Sequence, residues 1–181
     1  MKKKFALTLV SLASVALLAA CGEVSTTGNS GSASGTEIGK TLKIGFNFEE
    51  TGDVASYGTA EQKGAKLAVD EINKAGGVDG KQIEVTDKDN KSELSEASTV
   101  STNLVTQAKV NTIIGPATSG GTGAAITNAA KASVPLITPS GTQDDLTKGQ
   151  DYLFRTTFID SFQGKILSKY VTDNLKAKKV V

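Results

Sequence analysis

Short apolar runs alternate along the chain with longer stretches whose apolar residues recur at helical spacing. Thr41–Asn47 (T-L-K-I-G-F-N) alternates well enough to predict a first strand. Thr59 with Gln62 three residues on has the form of a capping box. The helix it opens would carry Ala60, Gly64, Leu67, Ala68 and Ile72 on its inner face and stop at Gly76-Gly77. Gln82–Thr86 predicts a second strand. Asp87–Lys91 is a polar turn, and Ser92 with Glu93 opens a helix with Ala97, Val100, Leu104 and Ala108 on one side. Asn111–Ile114 is a third strand, followed by a helix from about Gly120, a fourth strand at Val134–Ile137 and a short one at Tyr152–Arg155. Ser161–Ala177 predicts a last helix with Phe162, Ile166, Tyr170 and Val171 inward, and Lys178–Val181 begins a further strand. Strand and helix alternate throughout. The expected fold is α/β: three-layer, with a mainly parallel sheet, helices on both faces and right-handed crossovers.

The start of the chain departs from that rhythm. Lys2-Lys3-Lys4 precede an apolar run, Phe5–Leu18, that is too short to span a membrane and has the form of a secretory signal. Its exit, Leu18-Ala19-Ala20-Cys21, resembles the lipobox of bacterial lipoproteins. That resemblance implies cleavage before Cys21 and a diacylglycerol on its sulfur, with two or more acyl chains giving a stable anchor. Cys21 is the only cysteine, so no internal disulfide is expected. Residues 1–20 read as a lipoprotein signal peptide and 21–40 as a flexible Ser/Thr/Gly-rich tether. Residues 41–181 are one domain's worth of chain.

Charge and composition then narrow the chemistry. Removing Lys2, Lys3 and Lys4 from 20 basic residues leaves 17 against 19 acidic ones, a net charge of −2. With no basic stripe and no Trp, nucleic acid is not an expected partner. The chain has no His, which rules out Ser-His-Asp and Cys-His catalysis, and no acidic run has metal-loop spacing. Neither an enzyme nor a cofactor is expected.

The candidate chemistry lies in two loops. Ile113–Thr122 (I-I-G-P-A-T-S-G-G-T) runs from a strand through small residues into a helix, where free N–H groups and hydroxyls meet the positive end of the helix dipole. Thr138–Thr142 (T-P-S-G-T) repeats that character after the next strand. In an open parallel sheet such loops gather at the carboxyl ends of the strands. Gly115 and Gly120 have phosphate-loop spacing, but Gly121 stands where Lys is needed, and no G-x-G-x-x-G is present. The alternative is that Ser119 caps its helix and the glycines permit tight turns.

From Lys43 to Val181 the order of motifs resembles type I periplasmic-binding proteins that serve branched-chain amino acid ABC transporters. The residues that carry the resemblance are Gly52-x-Val54-Ala55-x-Tyr57-Gly58, then Gly64-Ala65-x-Leu67-Ala68-Val69-x-Glu71-Ile72-Asn73-x-Ala75-Gly76-Gly77-Val78-x-Gly80-Lys81. Ile114-Gly115-Pro116, Val134-Pro135-Leu136-Ile137-x-Pro139, Phe154-Arg155-Thr156 and Asp160-x-x-Gln163-Gly164 follow in order. The Lys-rich leader and Ser/Gly tether look like those of a Gram-positive lipoprotein, which implies a receptor anchored on the outer face of the membrane. The family fold has two lobes closing on a ligand. The resemblance covers the first lobe, so 41–181 would be an N-terminal lobe truncated before the second.

The resemblance implies a role for each site residue. Ser119 would bind the carboxylate of an amino acid. Ser140 would accept from the α-ammonium through its backbone carbonyl, and Thr142 would touch both groups. Ala117 and Thr118 would line the pocket, and Tyr57 would form an aromatic wall, with a loop-packing role as its alternative. Arg155 reads as a surface or structural ion-pair residue. The small, flexible pair Ser140-Gly141 departs from the family's pattern and leaves side-chain preference open. The implied function is capture of a branched-chain or other small aliphatic amino acid and delivery to ABC permease subunits. Two alternatives stay open: a sensing or interaction module on the same fold, and a truncated remnant that does not bind.

Cys21 carries a direct expectation. Cys21→Ala should release the protein from membranes into the medium, as read by cell fractionation; a variant that stays membrane-bound would refute lipidation at this residue.

Overall fold

The computed structural model describes residues 38–179. The leader, Cys21, all but the last residues of the tether, and Val180 and Val181 of the expected last strand lie outside the described residues.

A five-stranded parallel sheet forms the middle layer: β1 (Leu42–Phe48), β2 (Ile83–Asp89), β3 (Thr112–Ile114), β4 (Leu136–Thr138) and β5 (Leu153–Arg155). Their order is β2-β1-β3-β4-β5, with β1 paired to β2 from Leu42 opposite Ile83 to Phe48 opposite Asp89. The order reverses between β1 and β3, and it is at such a switch point that loops part to leave a crevice at the carboxyl edge. Three α-helices connect strands, α1 (Ala55–Lys74), α2 (Leu94–Asn103) and α3 (Ser119–Lys131), and α4 (Asp160–Asp173) follows β5, the last strand among the described residues. A π-helical turn, Leu104–Ala108, extends α2.

The two faces of β1 explain the layering. Phe46 and Phe48 pack with Val69 of α1 and Ile83, with Leu42 and Ile44 beside them. The opposite face carries Gly45 and Asn47. A Cβ at Gly45 would stand 2.9 Å from the Leu104 methyls, so glycine lets the end of α2 lie close to the strand. Asn47, fully buried, donates from Nδ2 to the Ala97 carbonyl at 3.0 Å. The larger core lies on this face, where Val100 and Leu104 meet Ile113, Ala125, Ile126, Ala129, Val134, Leu136 and Leu153. The expected inner side of α2, with Ala97, Val100 and Leu104, is buried.

The first helix differs from expectation at its start and on its face. It begins a turn earlier, at Ala55, and the Thr59 hydroxyl donates to the Ala55 carbonyl at 2.6 Å, so no capping box forms. Its buried residues are Gly58, Gln62 and Val69, whereas Leu67 is 59% exposed and Ile72 38%; Ala60, Gly64 and Ala68 are exposed with them. The cause is polar. Gln62 Nε2 donates to Asp87 at 2.7 Å, and the Asn73 amide brackets Ile83, donating to its carbonyl at 2.9 Å and accepting from its N–H at 2.7 Å. Satisfied amides replace apolar residues on the buried side, which misleads a reading of periodicity alone.

The last helix also differs. α4 buries none of its residues: Phe162, Ile166 and Tyr170 are each about half exposed. β5 is a three-residue edge strand, and no described element covers that apolar stripe. Helical period reveals a stripe without revealing its partner.

Gly58 yields a prediction with a decided sign. Helix propensity alone would have Gly58→Ala stabilise α1 by about 1 kcal/mol. A Cβ there, however, would stand 2.2 Å from the Glu49 carbonyl oxygen, a backbone atom that no rotamer change moves. Overpacking of this kind costs about 1–3 kcal/mol. Gly58→Ala should therefore lower the midpoint of denaturant unfolding; a raised midpoint would show that the close approach is absent in solution.

Candidate functional site

Glu49, directly after β1, is the first element of the site and is 1% exposed. Its Oε2 accepts the Ala117 N–H at 2.9 Å, and its Oε1 accepts the Thr118 N–H at 3.2 Å and the Thr118 hydroxyl at 2.9 Å. A buried carboxylate is tolerable only when so paired. Thr118 Oγ1 also accepts the Gly121 N–H at 3.2 Å, so Thr118 is the N-cap of α3. The alternative reading of Ser119 as the cap is corrected: Ser119 is the first residue of the helix. Gly121 is needed here, since a Cβ would come within 3.1 Å of Glu49 Oε1 and 2.9 Å of the Pro116 Cβ. Among the described residues the first-turn N–H groups of Ser119 and Gly120 take no partner.

Hydrogen bonds fasten the β4–β5 loop to this turn. Gly141 N–H donates to Thr138 Oγ1 at 3.1 Å, and that hydroxyl donates to the Pro116 carbonyl at 2.9 Å. Ser140 Oγ lies 3.0 Å from the Ala117 carbonyl and also contacts Glu61 of α1. Gln143 N–H donates to Ser119 Oγ at 3.2 Å. Arg155 Nη1 donates to the carbonyls of Gln143 at 2.7 Å and Gly141 at 3.2 Å. Arg155 is structural, but the ion pair read for it is corrected: among the described residues it forms no salt bridge and braces the loop through its carbonyls. The Thr142 carbonyl accepts the Asp160 N–H at 3.0 Å, tying the loop to the start of α4.

The loop before α1 is held from β2. Asp89 accepts the N–H groups of Glu50 at 3.0 Å, Thr51 at 3.2 Å and Lys91 at 2.7 Å, and the Thr51 hydroxyl at 2.6 Å. Burial would raise its carboxyl, but the Thr51 hydroxyl and these N–H groups outweigh that and hold it below the usual range. Ser92 adds a second tie, donating to the Thr51 carbonyl at 2.7 Å and accepting from Val54 N–H at 3.3 Å. Ser92 thus braces this loop, and the N-cap of α2 is Glu93.

The three loops enclose a cavity of about 510 Å³. Ala117, Thr118, Ser119, Ser140, Thr142 and Tyr57 all line it, so the structure gathers every expected ligand-binding residue in one place. Tyr57 is 63% exposed, standing at the mouth. Val54, Thr157, Phe158 and Gln163 also line the cavity and were not named as site residues from sequence. Glu49 and Glu61 were missed as well. A signal existed for Glu49: an acid placed directly after the first strand of a parallel sheet lies at the carboxyl edge. For Glu61 the signal was its position three residues after Gly58, on the side of α1 that turns inward.

Residues 41–181 match the family described as periplasmic binding protein. The chain is 34% identical over 151 residues to the leucine-, isoleucine-, valine-, threonine- and alanine-binding protein of Pseudomonas aeruginosa, which covers 83% of this chain and 40% of that protein. It is similar to the branched-chain amino acid transporter substrate-binding protein LivJ of Streptococcus pneumoniae, solved in complex with isoleucine. There the TM-score is 0.74 and the identity 73%, over 76% of this chain and 40% of that one. The leucine-binding protein LivK of Thermotoga maritima gives a TM-score of 0.69 at 30% identity, over 76% and 39%. The chain thus spans about 40% of the length of these relatives. Its match to the family runs the length of the sheet and the loops around the cavity, and the chain belongs to the periplasmic binding protein family.

Proposed function

We propose that this chain supplies a ligand-binding lobe of an extracytoplasmic receptor that captures a branched-chain or other small aliphatic amino acid for an ABC importer. One observation carries the reading: Ser119, whose N–H takes no partner among the described residues, Thr142 with its hydroxyl, and Ser140 line one cavity together with Val54, Tyr57 and Phe158. Glu49 already takes the N–H groups of Ala117 and Thr118, so the remaining first-turn donors are the ones left for a ligand carboxylate. The carbonyl of Ser140 can accept from an ammonium group. Neutral donors and acceptors with a helix dipole suit a zwitterion, whose net charge is zero. The apolar wall suits an aliphatic side chain, and the names of the relatives support that class. Anchoring through Cys21 and delivery to permease subunits belong to the same proposal, supported by the leader and by the transport role in the relatives' names.

The test is calorimetric titration of the full-length protein with leucine, isoleucine and valine. Ser119→Ala and Thr142→Ala should each weaken binding by about 1–3 kcal/mol, the range for losing a hydrogen bond to a charged group. A Ser119→Ala/Thr142→Ala double variant with unchanged affinity would remove this site from consideration.

A further inference from the structure

Glu61 stands beside the cavity with a proton count that does not close if it is ionised. Ser140 Oγ is within hydrogen-bonding distance of both Glu61 Oε1 and the Ala117 carbonyl. A carbonyl oxygen can only accept, and a hydroxyl has a single hydrogen to give. With Glu61 ionised, two acceptors compete for that hydrogen and one contact has none. With Glu61 neutral, its O–H donates to Ser140 Oγ, and the Ser140 O–H donates to Ala117. The other Glu61 oxygen, Oε2, is closed off from solvent and has no hydrogen-bond partner among the described residues. An unpaired buried oxygen is far less costly on a neutral acid than on a carboxylate.

We propose that Glu61 carries its proton at neutral pH and, by donating to Ser140, holds the β3–α3 and β4–β5 loops in register for ligand binding. Glu61 is a positioning residue, and its role in binding rests on the reading of the cavity as an amino-acid site. Its surroundings agree. Burial pushes the Glu61 carboxyl up; the Ser140 hydroxyl opposes this, and the negative charge of Glu49 across the loop adds to the rise. From the β3–α3 turn Glu61 meets the Ala117 carbonyl through Ser140, and from the β4–β5 loop the uncharged Ser140 itself. Glu49 has three donors of its own, whereas Glu61 has only the Ser140 hydroxyl, which the Ala117 carbonyl also claims.

The sign of the pH dependence follows. A carboxyl whose value is raised in the folded state contributes stability below the ordinary glutamate range, and that contribution is lost as pH rises through the raised value. Ser140 then loses its donor, and ligand affinity should fall with rising pH.

The experiment uses full-length wild type, E61Q and E61A. Infrared difference spectra of wild type against E61Q, without ligand at neutral pH, should show the carbonyl stretch of a protonated carboxylic acid that disappears on titration to high pH. Leucine titrations from about pH 5 to 8.5 should weaken with rising pH in wild type. In E61Q, whose amide can donate to Ser140, that dependence should vanish. E61A should bind about fivefold more weakly than E61Q at neutral pH, the value of one lost hydrogen bond. Absence of the protonated-acid band, or an E61Q titration with the wild-type pH profile, would overturn the proposal. If the band is present but leucine does not bind even the wild type, the amino-acid reading fails while the proton on Glu61 stands. The wild-type spectrum decides the protonation question even if E61A does not fold.

Discussion

The carboxylate of Glu49 at the amino end of α3 is the contact on which the loops around the cavity depend. A charge this deeply buried requires donors, and it takes them from the turn that leads into the helix: the N–H groups of Ala117 and Thr118 and the Thr118 hydroxyl. That bond fixes where β3 gives way to α3. It also uses part of the helix's own positive end, since the dipole favours an anion there. The backbone of Glu49 meets a second constraint, because Gly58 of α1 lies against it where no side chain would fit. One residue thus places the start of two helices: Gly58 is glycine because α1 lies against the Glu49 backbone, and Gly121 because the turn leaves it room for no Cβ beside Pro116, Thr118 and the Glu49 carboxylate.

A second tier of polar contacts carries that placement outward. Asp89 gathers the chain from Glu50 to Thr51, and Arg155 gathers the carbonyls of Gly141 and Gln143. Both brace loop backbone from a strand end, so the loops borrow their shape from the sheet. Val54, Tyr57, Ser119, Ser140 and Thr142 then stand around one cavity although they come from three separate connections. Fewer braces reach the α4 side, where Phe158 lines the cavity from the segment before the helix and Gln163 from the helix itself, which buries none of its residues.

How far the sequence revealed this varies with the kind of signal. The succession of strands and helices along the chain and the layer class followed from alternating apolar runs, because β1, β2 and the buried side of α2 obey simple periods. The face of α1 did not, since Gln62 is buried and Asn73 half-buried by hydrogen bonds that a count of apolar residues cannot register. Leu67 and Ile72 offered a competing apolar stripe and won the count while losing the burial. The stripe on α4 was legible as a stripe, but its burial requires a partner that no residue within the helix specifies. The site shows the same division. Ser140 and Thr142 in their loop and Ser119 at the first position of α3 belong to stretches whose small polar composition announced them, whereas Glu49 and Glu61 belong to regular elements or their edges, where an acid reads as surface.

Those two acids divide the labour at the cavity by their donors. Glu49 meets three donors and serves as a fixed anion that consumes the N–H groups at the base of the turn. Ser119 and Gly120, one step further along α3, keep theirs. An anionic ligand therefore finds donors without displacing the carboxylate that orders the loop. Glu61, supplied with a lone hydroxyl that the Ala117 carbonyl also claims, fits the opposite role of a neutral donor. A second full charge beside Glu49 would repel a ligand carboxylate and compete for the same N–H groups. With Glu61 neutral, the cavity presents the free end of a helix dipole, hydroxyls and one carbonyl, a balance suited to a ligand that carries both charges and no net one.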